Sequence, residues 1–380
     1  MKIVWRFGAP FSPLGYGVVT KEIVPRIIDD GHTVLIAAFE YNGPPLQIGN
    51  MTVWGTTNSV IAEYVSIFEK ADYLFVAPNY TIDNFVHKNC VACGALDFEF
   101  MSNQFAELLR KAKYVFAVSK HNKKELQRVG IDSFYAPWGV DINSFKSDEK
   151  AREKYRRQMG WDEDIFVIGS VGSNLASDRK NFVNLIKAFQ LFAQKHFDSI
   201  LYLHTCIYGS IPLVNIVRAS GFSDKIIFPN QTRLYMESIY QPEMVEMYNA
   251  LDVLCIPSKG ESFNLPLLEA QSCEVPAVVS NTTALPEHLK GGWLIPVDDD
   301  DYELTEYMAW NAVVRPKVIA EQLELAYEAW KNKKIKGIGK EARDGILEFE
   351  WDKVYNTYWR PMLKYIDENR KGNDFEKWFE

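Results

Sequence analysis

Short apolar runs rich in β-branched and aromatic residues alternate along the whole chain with stretches of helical periodicity, and no other feature constrains the fold as strongly. This alternation builds parallel sheets from βαβ units. The first series of strands reads KIVWRF (2–7), TVLIAA (33–38), DYLFVA (72–77), CVAC (90–93) and YVFAVS (114–119), with helical stretches such as VVTKEIVPRIIDD between them. APWGVDINSF (136–145) breaks the pattern with Pro, Gly and Asn, and the charged helix DEKAREKYRRQM follows. IFVIGSVG (165–172) then opens a second series: SILYLHT (199–205), KIIFP (225–229), DVLCIP (252–257), PAVVS (276–280) and WLIP (293–296). At 380 residues the chain exceeds one ordinary core. Two α/β domains are expected, over 1–150 and 151–350, with the junction near 145–165. The tail FEWDKVYNTYWRPMLKYIDENRK is helical and aromatic, and a helix over about 351–380 is expected to pack back on the first domain. VDDDDYELTE reads as an acidic cluster opening a helix, where the dipole favours carboxylates.

Charge narrows the function classes. The net charge of −8 argues against a nucleic-acid binder, which needs a basic face. Residues 1–150 are nearly neutral, with 15 Lys+Arg against 16 Asp+Glu. Within them Arg110, Lys111, Lys113, Lys120, Lys123, Lys124 and Arg128 gather. This cluster reads first as a solvated helix face and second as a weak dock for an anionic membrane surface or acceptor. No apolar run is long enough to span a bilayer, and the start MKIVWRFGAP lacks the series of a secretory leader. Five cysteines fit a reduced, cytoplasmic setting. HKNCVAC places His87, Cys90 and Cys93 at metal-like spacing, but no second pair answers them and buried thiols are the expectation.

The chemistry is expected beyond the carboxyl ends of the strands, where doubly wound sheets hold ligands. After the first strand, Gly15 and Gly17 bracket Tyr16 ahead of a helix, a loop through which backbone can approach an anion. Arg179 and Lys180 stand directly before a helix with apolar residues at 182, 185, 186 and 189, a fork-shaped and a mobile cation suited to a diphosphate. GESFNLPLLEAQS (260–272) adds Glu261 in a loop and Glu269 in a helix that Asn264 caps and Pro266 begins. Its first amides, with Ser262, Phe263, Asn264 and Leu265, suit phosphate oxygens. A carboxylate accepts hydrogen bonds from two neighbouring hydroxyls, as in a ribose or a sugar. Together these groups describe a nucleotide-sugar site. Asn230, Gln231 and Thr232 follow a strand where a base pocket is expected.

On these motifs the chain resembles the family-4 glycosyltransferases of GT-B fold. GESFNLPLLEAQSCEVPAVVSNTTALPEHL, RKNFVNLIKAF, YVFAVSKHNKKELQRVGI, APWGVDINSF and GYG all match, over nearly the whole chain. The resemblance implies two Rossmann-like, doubly wound domains facing across a donor cleft and retaining transfer of a hexose-type sugar to a hydroxyl acceptor. It implies that Arg179 and Lys180 hold the donor diphosphate, that Glu269 binds the ribose hydroxyls and that Glu261 contacts the transferred sugar. It also implies that Gly17 lets the first loop close. Gly172-Ser173-Asn174 stands where many members have Gly-Arg-Leu, which displaces the first phosphate-binding cation to Arg179. GALDFEF (94–100) lacks the usual His, and Asp97 lies near that place on the sugar or acceptor side.

The leaving phosphate can take the acceptor's proton, so no protein nucleophile is demanded; Glu261 as a covalent nucleophile is the alternative. No Asp-x-Asp pair stands after a strand in a place that suits a metal-bound diphosphate, so neither cofactor nor metal is expected. Partners are a nucleotide-sugar donor and a hydroxyl acceptor, with peripheral contact at a membrane as an option. Two rivals share the fold: a nucleotide-sugar epimerase and a non-catalytic nucleotide-sugar-binding subunit.

Overall fold

The structure is a computed structural model and describes residues 1–39, 41–55, 70–77, 89–175, 177–234, 241–298, 300–305 and 308–369. Sixteen strands lie among them. The first sheet runs through β1 (Lys2–Arg6), β2 (Thr33–Ala38), β3 (Leu46–Ile48), β4 (Met51–Gly55), β5 (Tyr73–Val76), β6 (Cys90–Gly94), β7 (Tyr114–Ala117) and β8 (Phe134–Tyr135). Its spatial order is β3-β4-β2-β1-β5-β6-β7-β8, parallel except where β3 turns back on β4. The second sheet contains β9 (Phe166–Val171), β10 (Ser199–His204), β11 (Ile226–Ile227), β12 (Val253–Ile256), β13 (Ala277–Ser280) and β14 (Gly292–Ile295), in the order β11-β10-β9-β12-β13-β14. Both orders reverse beside the first strand of each unit, the arrangement that opens a crevice at the strands' carboxyl ends.

The strands read as continuous apolar runs because helices cover both faces: β6, β9 and β12 are buried along their whole length. Cys90 and Cys93 lie in β6 and are buried, their thiols raised by desolvation. All five cysteines are free. His87 lies outside the described residues. A second buried group anchors the junction helix Glu149–Met159: Arg156, 1% exposed, reaches Asp252 at 2.9 Å, and Arg152 reaches the other oxygen of that carboxylate at 2.9 Å.

The tail returns to the first sheet. Trp359 is fully buried between Trp5 and Phe116, and its indole donates to Pro137 O at 2.8 Å. Tyr355 and Arg360 hold Asp30 at 2.8 and 2.7 Å. These contacts come from residues 351–369; the expected continuation over 370–380 lies outside the described residues.

One expectation fails in the second half. The acidic run after Pro296 does not open a helix. It leads into β15 (Tyr302–Leu304), which pairs with β16 (Trp310–Ala312) as an antiparallel hairpin. The apolar and paired side chains decide this: Lys259 holds Glu303 at 2.6 Å, and Tyr302 packs edge-on against Phe100 of the first unit. Those contacts, with the pairing of β15 on β16, outweigh a helix-dipole preference of a few tenths to 1 kcal/mol.

Candidate functional site

The loop after β9 carries the two cations, and buried asparagines fix it. Asn174 donates to Cys206 O and Ile211 O at 3.0 and 2.8 Å. Asn181, in the left-handed region at φ 58°, donates to Pro257 O and Val314 O at 3.1 and 3.0 Å. The backbone is stitched directly to the loop after β12, where Lys259 N donates to Arg179 O at 2.9 Å. Gly172 leaves room for the Lys180 stem, whose carbons lie 3.1–3.3 Å from where a Cβ would stand. Arg179 and Lys180 are thereby carried to the start of the Leu265–Ser272 helix.

Glu261 meets them there. Lys180 Nζ lies 2.6 Å from Oε1 and Arg179 Nη1 lies 2.9 Å from Oε2, while Arg179 also donates to Gly260 O at 2.7 Å. Glu261 is only 3% exposed, a buried carboxylate rather than one open to solvent. Burial pushes its pKa up, but the two cations overcome this and hold it down to about 2. Burial also lowers the Lys180 ammonium, which Glu261 opposes. The two cations and one carboxylate leave a net positive charge in a water-poor place, before the first unit is counted.

Asn264 caps the helix, its Oδ1 accepting from Leu267 N at 3.0 Å, and it does so at φ 77°, a conformation Asn tolerates better than most side chains. Its Nδ2 is buried and has no hydrogen-bond partner among the described residues. The amides of Phe263, Asn264 and Leu265 lie at this helix start, where an α-helix cannot supply their acceptors. Phe263 itself is a packing residue, buried against Trp138, His288 and Phe349. His288 holds the Phe263 carbonyl at 2.8 Å through Nδ1, and burial lowers its pKa to about 3, which keeps the ring neutral.

Glu269 sits in the second turn of the same helix. Tyr248, from the Gln241–Ala250 helix, donates to its Oε2 at 2.8 Å. Desolvation raises Glu269 to about 7 even though Tyr248 opposes the shift, and the residue keeps a path to solvent because it is only half-buried. Tyr248 is not among the residues the sequence singles out; its place in MVEMYNAL, two residues before the end of the Gln241–Ala250 helix, was the available signal.

Three expected residues are placed differently. Gly15 and Gly17 are not in a loop but in the first turn of the Gly15–Asp29 helix, and neither has positive φ. Gly17 is required by packing instead: a Cβ would lie 2.4 Å from Ser12 O and 2.6 Å from Ala9 O. Gly15 faces the second unit, with Leu265 Cδ1 3.8 Å from its Cβ position. Gln231 is turned inward, where its amide accepts from Ile207 N at 2.9 Å and donates to Thr205 O and Pro229 O, so it braces the loops. Asn230 accepts from Arg233 N at 3.2 Å and lines a cavity of about 420 Å³ with Tyr155, Tyr202, His204 and Phe228.

The first unit closes over this assembly through residues 97–100. Asp97 Oδ1 accepts from Ser262 N at 2.8 Å, and Asp97 Oδ2 lies 3.4 Å from Arg179 Nη2. Glu99 Oε2 accepts from Thr282 Oγ1 and Thr283 N at 2.8 and 3.0 Å, and Phe100 pairs with Trp310. Thr283 Oγ1 in turn accepts from Glu261 N at 2.9 Å. Glu287 accepts from Lys120 N at 3.0 Å, at the start of the Lys120–Arg128 helix, and burial raises it to about 6. No group of three metal-ligating side chains occurs among the described residues, and no described helix is long and apolar enough to cross a membrane.

Residues 165–310 match the family model for glycosyl transferases group 1. The chain is 23% identical over 256 residues to O-antigen chain mannosyltransferase B of Escherichia coli, covering 60% of this chain and 61% of that protein. It is 30% identical over 158 residues to D-inositol 3-phosphate glycosyltransferase of Corynebacterium jeikeium, covering 41% of this chain and 37% of that one. It thus spans about a third to three-fifths of the length of these curated relatives. Among solved structures, Anabaena HepE in complex with UDP-glucose superposes with a TM-score of 0.71 at 15% identity, over 96% of this chain and all of that one.

Proposed function

We propose, from the premise that this chain belongs to the group 1 glycosyltransferases and has the GT-B fold, that it moves a hexose-type sugar from a nucleoside-diphosphate donor to a hydroxyl acceptor. The observation that carries the reading is the convergence of Arg179 and Lys180 on Glu261, three residues ahead of the Asn264 cap of the Leu265–Ser272 helix. A nucleotide-sugar in the HepE structure and sugar transfer in the names of the two curated relatives support it.

The hard event is breaking the bond between the anomeric carbon and the diphosphate. Negative charge then grows on the leaving group, and Arg179, Lys180 and the helix-start amides stand where they stabilise it, in a site that excludes water. Glu269 accepts from the ribose diol and Glu261 from the sugar hydroxyls. Retention of configuration follows if the leaving phosphate oxygen takes the acceptor's proton on the same face. A Glu261 already gripped by two cations is a weak nucleophile, which favours this route over a covalent glycosyl-enzyme. Metal independence, a cytoplasmic setting and peripheral contact with an anionic membrane through the 110–128 cluster belong to the same proposal. Gly17 lets the first helix start against the Ala9 and Ser12 carbonyls of its own unit, and Gly15 lies opposite Leu265 of the second unit.

The test is a thermal-shift screen of nucleoside diphosphates and their sugars on the wild type and on Glu269→Ala, since a ligand of the native state raises Tm with its concentration over Kd. One nucleotide series that stabilises the wild type and not the variant supports the donor site. No shift at millimolar ligand overturns it. Turnover of donor without acceptor would identify an epimerase, and binding without release of nucleotide under any acceptor would identify a binding subunit.

A further inference from the structure

We infer that Asp97 and a donor phosphate compete for one place, so that Asp97 must be displaced for the nucleotide to bind. The inference rests on the donor-site reading above and adds a regulatory element to it. The two oxygens of Asp97 bridge two donors of the second unit, the Ser262 amide at 2.8 Å and the Arg179 guanidinium at 3.4 Å. A backbone amide ahead of a helix and a guanidinium are the pair that a phosphate's oxygens would engage.

Charge supports displacement rather than coexistence. Arg179 and Lys180 supply two positive charges, and Glu261 and Asp97 supply two negative ones, all on side chains no more than a quarter exposed. The site is therefore already neutral. A diphosphate added beside both carboxylates would leave it with a net negative charge in poorly solvated surroundings, which a binding site cannot favour. Glu261 is fixed within its own unit by contact with both cations and by Thr283 at its amide. Asp97 reaches in from the other unit, so it is the carboxylate free to leave. The fit around it is close enough to be specific: a Cβ on Gly260 would stand 2.3 Å from Asp97 O. Glu99 and Phe100, two and three residues on, hold the same interface through Thr282, Thr283 and Trp310. Donor binding and withdrawal of the 97–100 segment are thereby coupled.

The experiment is calorimetric titration of uridine, guanosine and adenosine diphosphates into the wild type, Asp97→Asn, Asp97→Ala and Lys180→Ala. Asn keeps an acceptor for the Ser262 amide and removes the charge; Ala removes both. Both Asp97 variants are expected to bind the preferred nucleotide more tightly than the wild type, within the roughly 5- to 150-fold range of such couplings, while Lys180→Ala loses binding. A residue that merely supports the fold would not raise affinity when replaced. Equal or weaker binding by both Asp97 variants, with loss in Lys180→Ala, overturns the displacement and leaves the donor site standing. Binding of no diphosphate by any of the proteins removes the donor site, and this inference with it.

Discussion

Replacing Glu269 by Gln should stabilise the chain at alkaline pH while weakening its ligand. The folded carboxyl has its pKa raised from 4.5 to about 7, chiefly by desolvation. Between those two pH values the folded state therefore binds more protons than the unfolded state, and stability falls as pH rises through the window. The full rise corresponds to about 3 kcal/mol held against the ionised form. Because Glu269 keeps a path to solvent, about 1–3 kcal/mol is the expected range. Gln has nearly the same volume and still accepts from the Tyr248 hydroxyl, so the variant loses the charge and little else. The assay is urea denaturation of both proteins from pH 5 to 8.5, followed on the transition of the second unit, since two domains need not unfold together. The curves should meet near pH 5 and separate by about 1–3 kcal/mol at pH 8, with the variant above. Parallel curves, or a less stable variant at pH 8, would refute the argument that burial sets this group's protonation. In the wild type, nucleotide affinity should also rise as pH passes through about 7, as the ionised carboxylate becomes an acceptor for both ribose hydroxyls.

Lys180→Met removes one of the two cations that compensate Glu261, and a loss of up to about 3 kcal/mol in urea denaturation is expected, less than for a fully orphaned buried charge because Arg179 remains. Gly260→Ala places a methyl against Asp97 O, so it should loosen the seat of the 97–100 segment and nucleoside diphosphate should bind more tightly than to the wild type, while the stability of the separate units changes by under about 1 kcal/mol; unchanged or weaker binding would show that this contact does not oppose the donor. Trp359→Ala should cost about 3–5 kcal/mol by leaving a cavity between Trp5 and Phe116, read as a lower melting transition of the first unit. Sugar transfer should persist in excess chelator with nucleotide-sugar, acceptor and enzyme alone, and its loss would contradict metal independence.

The sequence by itself determined the two βαβ series (though not β3, β4 and β8 of the first sheet), the returning aromatic helix through residue 369 and the segments that bear Arg179, Lys180, Glu261 and Glu269. Those features depend on local periodicity and on turn and cap residues, which short windows of sequence contain: the Asn264 cap and the apolar runs of β9 and β12 are examples. What the chain does with its charges was decided only by the tertiary structure. Lys180 and Glu261 are 81 residues apart and Ser262 and Asp97 are 165 apart, and no spacing rule links them. Gln231 looked available until its backbone partners were seen, and Gly17 looked like a loop glycine until the Ala9 and Ser12 carbonyls were found against it. Tyr302–Leu304 became a strand because Trp310–Ala312 lay alongside to pair with it. A side chain's type is written in the sequence, but whether its charge is buried, paired or free depends on groups that only folding brings within a few ångströms.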